Sequence, residues 1–241
     1  MITAGGRIEG AFAEAAGTSV KALAPIRGSS MLERIIDALR AAGATRVAVV
    51  GGGEVRTACA AFVERFVDEG PTGSENLLRA LRAWPEDGEP LLYATSDLPY
   101  VTAAAVADFT ARLAPDRLTA ALTEFGSFSA RFPEARGFGI TLAGERVVNG
   151  GLFSVPCGSA ERLAAVATRF FEARKRPWRM ASLASPIALI RFLTGRLSVP
   201  DLEAMATRVL GVPAQGLRGC APELAFDIDT AVEYDYACAH A

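Results

Sequence analysis

Apolar and polar positions alternate along the first half of the chain in two rhythms, one of period near 3.6 and one nearly continuous. Leu32, Ile35, Ile36 and Leu39 fall at i, i+3, i+4 and i+7, the stripe of an amphipathic helix that opens near Ser30 and stops at Gly43. Residues 46–51 then form a near-continuous apolar run of the kind buried on both faces of a parallel sheet. A short helix follows Gly51-Gly52-Gly53. The next strand is expected over 64–68, and Thr72 with Glu75 has capping-box spacing for a helix carrying Leu77, Leu78 and Leu81. Residues 91–95 read as another buried strand with Ser96-Asp97-Leu98-Pro99 at its carboxyl end. Val106, Phe109 and Leu113 mark the helix after it. This alternation predicts right-handed βαβ units and an α/β, mostly parallel sheet.

The second half changes character. Strands are expected over 118–122, 137–142 and 151–155, separated by turns, and residues 158 to about 211 read as helical. One stripe there is Leu163, Val166, Ala167 and Phe170; another is Leu202, Met205, Ala206 and Val209, opened by a Ser198/Asp201 cap. No polar linker sets this block apart, so it reads as a helical insertion (about 158–213) on one domain spanning residues 1–241. The tail, 223–233, is expected to return to strand and then helix. Strand alternation there puts Leu224, Phe226 and Ile228 on one face, Asp227 and Asp229 on the other.

Composition narrows the chemistry. The net charge is −2 with acids and bases interspersed, which implies no polyelectrolyte binding to nucleic acid or to an anionic membrane. The four cysteines have no CxxC spacing, which suits a reducing cytoplasm. No signal peptide precedes the first strand, and no apolar run reaches the ~18 residues needed to span a bilayer. His240 is the only histidine and is the penultimate residue. Its position excludes Ser–His–Asp and Cys–His hydrolases and HExxH metalloproteases, leaving carboxylates, Lys and Arg, usually with a hard metal such as Mg²⁺.

Three stretches carry candidate chemistry. The first opens the chain: a short strand, the glycine loop Ala4-Gly5-Gly6-Arg7, and Lys21 before an apolar run. Glycines after a strand let backbone N–H groups approach phosphates, and Arg7 and Lys21 add positive charge; a plain turn-forming loop is the alternative. The second is Asp97 and the third is the Asp227/Asp229 pair. Ligands of parallel sheets bind outside the carboxyl ends of the strands, which puts the opening loop, the 70–74 loop and Asp97 on one edge. Asp227 and Asp229 on one face suit Mg²⁺, and the same residues read equally as a helix start, with Asp229 or Thr230 as N-cap and Glu233 closing the box. Arg174-Lys175-Arg176 would bind an acceptor phosphate or satisfy a helix dipole. Asn149-Gly150-Gly151 would touch an acceptor or make a hairpin turn. Arg131 and Arg136 would belong to an acceptor lid or a simple loop.

The order of these motifs resembles the MobA-like nucleotidyltransferases: AGG, an arginine, K-A-L, SDxP after a buried strand, and DxDT before acidic residues near the C-terminus. The resemblance covers about residues 1–110 and 222–236. It implies a three-layer α/β/α, Rossmann-like (GT-A-like) sheet and transfer of an NMP unit from an NTP to a phosphorylated acceptor. Ala4, Gly5, Gly6, Arg7 and Lys21 would hold the phosphates. Gly70, Gly73 and Ser74 would pack on base and ribose, with Ser96 beside them. Asp97 would bind Mg²⁺ (or Mn²⁺) with Asp229 or Asp227, Asp229 preferred. A cytoplasmic enzyme is implied, and the sequence is compatible with a homodimer. Lys21 follows Gly5 by sixteen positions, against ten in the family pattern GGxGxRMGxxK. A catalytically inactive nucleotide-binding relative and a glycosyltransferase reading Asp227-Ile228-Asp229 as a DxD motif are the competing expectations.

Overall fold

A computed structural model describes residues 1–84, 89–135, 137–166 and 186–241. Its centre is an eight-stranded sheet. Four strands are parallel neighbours: β1 (Ile2–Thr3), β4 (Ala48–Gly51), β5 (Arg65–Asp68) and β6 (Leu91–Thr95). Beyond β6 lie β9 (Glu145–Val155), β7 (Leu118–Glu124) and β10 (Ala214–Leu217), giving the order β10-β7-β9-β6-β1-β4-β5, while β8 (Gly139–Leu142) pairs with β9. β9 runs antiparallel to β6, β7 and β8, and β10 runs parallel to β7. The sheet is thus mixed and mostly parallel.

Helices cover both faces. α2 (Met31–Ala41) starts at Ser30, whose hydroxyl accepts the Glu33 amide while Glu33 accepts the Ser30 amide. Leu32, Ile35, Ile36 and Leu39 are all buried, and they pack with α5 (Ala103–Ala111) against Ile2, Val49 and Ala94. On the opposite face Ala80, from α4 (Gly73–Leu81), meets Met1, Ala48 and Val50. Adjacent strand residues therefore point to opposite helical layers, which is why β4 reads as uninterrupted apolar sequence.

Several expectations are corrected. The opening loop contains a helix, α1 (Gly10–Ala16), ended by Gly17 in the left-handed conformation. Asn149, Gly150 and Gly151 are not a turn: they lie inside β9, with Asn149 opposite Leu122 next to a register irregularity in β7. The hairpin turn sits instead at Ala143 and Gly144, both at positive φ. The tail is not a strand either. A 3-10 turn (Pro222–Leu224) leads into an extended segment that pairs with no strand among the described residues, and then α9 (Ala231–His240). Burial still alternates at its end, since Phe226 and Ile228 are buried while Asp227 and Asp229 are exposed.

In the expected helical block, residues 160–166, α7 (Pro186–Leu193) and α8 (Val199–Leu210) are helical, and α8 packs on β10. Ala167, Phe170 and Arg174-Lys175-Arg176 lie outside the described residues, as does Arg136. Among the described residues no helix is long and apolar enough to cross a membrane.

Candidate active site

Because β1, β4, β5 and β6 are parallel neighbours, the segments that follow them emerge at one edge of the sheet. After β1, the Ala4 amide still donates to Val50 O at 2.8 Å, and then the chain leaves the sheet at Gly5. A Cβ on Gly5 would fall 2.6 Å from Asn76 Nδ2 and collide with the Glu69 carboxylate, so any larger residue there would have to push those side-chain ends aside.

The excursion from Gly6 to Lys21 closes on itself. The Lys21 amide donates to Gly6 O at 2.9 Å, the Ile8 amide donates to Ser19 O at 3.0 Å, and Arg7 bridges Val20. The additional length is taken up by α1, whose Phe12 ring packs 5.2 Å from that of Tyr234 on α9. The Tyr234 hydroxyl donates in turn to Pro25 O at 2.8 Å. The longer loop therefore returns Lys21 to the side of Gly6.

Lys21 lies in a short 3-10 turn (Lys21–Leu23) with its side chain only 14% exposed. Its Nζ donates to Asp97 Oδ2 at 2.7 Å and to Asp229 Oδ1 at 2.6 Å. Burial alone would lower the lysine pKa; the charges and hydrogen bonds of Asp97 and Asp229 outweigh it, and the net shift is upward. Lys21 is therefore a full cation between two carboxylates.

Two backbone devices hold Asp229 there. The Ile228 amide donates to Asp97 O at 3.2 Å, pinning the tail to the segment after β6. Glu233 Oε2 accepts the amides of both Asp229 and Thr230 at 2.7 Å, while the Thr230 hydroxyl accepts the Glu233 amide. The helix-start reading of this tail and its placement of Asp229 beside Asp97 hold together. Asp227 stands next to the pair. Its carboxyl is pushed up to about 6, first by partial desolvation among the surrounding protein atoms, although its outer side faces solvent, and then by the charges of Asp97 and Asp229.

The remaining sequence candidates are placed as follows. Arg7 does not reach the aspartates: it pairs with Glu54 at 3.1 Å and with Glu69 at 3.3 Å, and these contacts raise its pKa. The Gly70 amide donates to Asn76 Oδ1 at 2.7 Å, Gly73 begins α4, and the Ser74 and Thr72 hydroxyls are 2.9 Å apart. Ser96 is buried at the end of β6. Arg131 pairs with Glu223 and lies over the Phe132 ring. Glu54, Glu69 and Asn76 were missed by sequence reasoning. The available signal was position, since Glu69 directly follows β5 and Glu54 stands in the first turn of α3 (Gly53–Cys59).

The donor set fits a divalent cation. Asp97 Oδ1 is buried with no hydrogen-bond partner among the described residues. Two carboxylates on one ammonium leave negative charge in excess, and Asp227 stands beside them. Among the described residues no three acidic, His or Cys side chains stand grouped as a ready-made metal centre. Lys21 fills the space between two of them.

The mixed, mostly parallel α/β/α sheet is the fold of the nucleotidyltransferases. The chain matches the MobA-like NTP transferase domain over residues 2–179, and it belongs to that family. It is similar to a hypothetical transferase of known structure from Thermus thermophilus, with 31% identity, 96% of each chain covered and a TM-score of 0.85. Two more distant structures share the fold. One is CTP:phosphocholine cytidylyltransferase from Streptococcus pneumoniae (13% identity, 99% of this chain and 96% of that one, TM-score 0.56). The other is Rv0371c from Mycobacterium tuberculosis in complex with manganese (16% identity, 100% and 97% covered, TM-score 0.57). No curated protein matches the chain significantly in sequence.

Proposed function

We propose that the protein is a divalent-metal-dependent nucleotidyltransferase that moves an NMP unit from an NTP to a phosphorylated small-molecule, sugar or cofactor acceptor. The observation that carries this reading is the Lys21 ammonium held between Asp97 and Asp229 beside the Gly5-Gly6 loop. An acceptor phosphate oxygen attacks the α-phosphorus of the NTP. The bond to the bridging oxygen breaks, and its electron pair leaves with pyrophosphate.

Reactants and product are all anions, so most of the catalysis is alignment and charge neutralisation. Asp97, with Asp229 and Asp227, would hold Mg²⁺ or Mn²⁺, which supplies positive charge at the α-phosphate; the manganese bound by Rv0371c supports that choice. Lys21 would stabilise the departing pyrophosphate. The Gly5-Gly6 backbone lets phosphates approach without a Cβ in the way, and Gly70, Gly73 and Ser74 would face base and ribose. An acceptor already ionised needs no general base, which agrees with a chain whose sole histidine is His240.

The test is a thermal-shift screen of ATP, CTP, GTP and UTP with and without Mg²⁺, followed by pyrophosphate release with a panel of phosphorylated acceptors. A family relative that binds nucleotide without turnover is the second reading, favoured by the pairing of Arg7 with Glu54 and Glu69. It predicts a shift with NTP and no pyrophosphate. No shift with any NTP overturns both.

A further inference from the structure

We infer that Lys21 couples the two halves of the site, acting as the resident counter-ion of Asp97 and Asp229 until nucleotide draws it away. This inference rests on the reading above, in which the same lysine serves the phosphates and the same carboxylates serve the metal. The ammonium sits 2.7 Å from Asp97 Oδ2 and 2.6 Å from Asp229 Oδ1, the distances of charge-assisted hydrogen bonds. A divalent cation held by Asp97 and Asp229 would compete with it, and freeing a largely buried ammonium from two carboxylates with no substitute anion is costly.

Triphosphate supplies that anion. When Lys21 turns to the phosphates, the aspartates lose their partner and take the metal; metal alone competes with the ammonium and binds weakly. Binding is then mutually reinforcing through one side chain, and such coupling is commonly about 5- to 150-fold.

The chain makes this testable, because its only lysines are Lys21 and Lys175. Protein labelled with ¹³C at the lysine ε-carbon gives two signals, assigned with Lys21→Arg. Affinity for Mn²⁺ alone is measured by electron paramagnetic resonance for the wild type, Lys21→Met and Lys21→Arg, with circular dichroism as the folding control. The expected result is Mn²⁺ binding at least tenfold tighter in Lys21→Met than in wild type, with Lys21→Arg near wild type. In the wild type the Lys21 signal should move in step with Mg²⁺ saturation, and also on adding NTP without metal. Equal or weaker Mn²⁺ binding by Lys21→Met overturns the inference. If that variant does not fold, a Lys21 signal that stays put as Mg²⁺ saturates the wild type does the same. A wild type that binds NTP and metal yet shows no exchange loses only this coupling, whereas one that binds no NTP loses the proposed function itself.

Discussion

The Ile228 amide donates to the carbonyl oxygen of Asp97, so the two chain segments that bear the site's carboxylates are joined by main chain as well as through Lys21. Side-chain substitutions at Asp97 or Lys21 leave that backbone bond in place, and the local geometry should survive them.

Lys21→Ala and Asp97→Ala are each expected to lower turnover by about 10²- to 10³-fold, the usual cost of removing one electrostatic contact to a developing charge. Pyrophosphate release reads the effect, and circular dichroism should show an intact fold. Unchanged release from either variant removes that residue from the assignment.

Glu233→Ala deletes the acceptor of two amides at the start of α9. Loss of such a cap costs about 0.5–2 kcal/mol, seen as a lower melting temperature, and Asp229 loses its fixed position. A higher metal requirement for turnover should accompany the stability loss. Glu233→Gln, which can still accept both amides, should recover most of each effect; if it behaves like alanine, the cap geometry is not the cause.

Asp227 gives a pH dependence with a defined sign. Its carboxyl titrates near 6 in the folded protein against an ordinary 3.8, so between those values the folded state holds more proton than the unfolded chain. Stability from this group is present below about 3.8 and is lost as pH rises through 6. In EDTA, denaturant midpoints for Asp227→Asn should therefore decline less between pH 4 and pH 7 than those of the wild type. Parallel declines in the two proteins would refute the assignment.

Phe12→Ala removes a buried ring from α1, where it packs on Tyr234. The expected cost is about 3–5 kcal/mol, as for other buried phenylalanines. Since α1 lies between Gly6 and Lys21, nucleotide affinity should fall as well, measured below the variant's melting temperature. A stability loss with no change in affinity would show that α1 does not position Lys21.

Features that depend on neighbours along the chain were legible. The α2 stripe with its Ser30 cap, the buried run of β4, and the caps of α4 and α8 follow from local periodicity and hydrogen-bonding residues. The fold class followed from their order, and the family match supports it. Features that depend on distant contacts were not. α1 exposes most of its small residues and buries only Phe12 and Ala16, so it leaves no stripe to read. Gly150 and Gly151 look like turn residues. They lie within β9, where a Cβ on Gly150 would fall 2.9 Å from both Ala121 Cβ and Leu224 O. The tail alternates in burial as a strand would, yet among the described residues no strand pairs with it. Glu54 and Glu69 reach Arg7 across 47 and 62 positions, and no local pattern announces such a pair.

Lys21 and Asp229 are separated by 208 positions. A nascent chain leaving the ribosome would present the glycine loop and Asp97 long before their last carboxylate partner exists. Assembly of this triad is thus a late event, and a product truncated ahead of Asp229 would keep every strand of the sheet while lacking the contact that completes it.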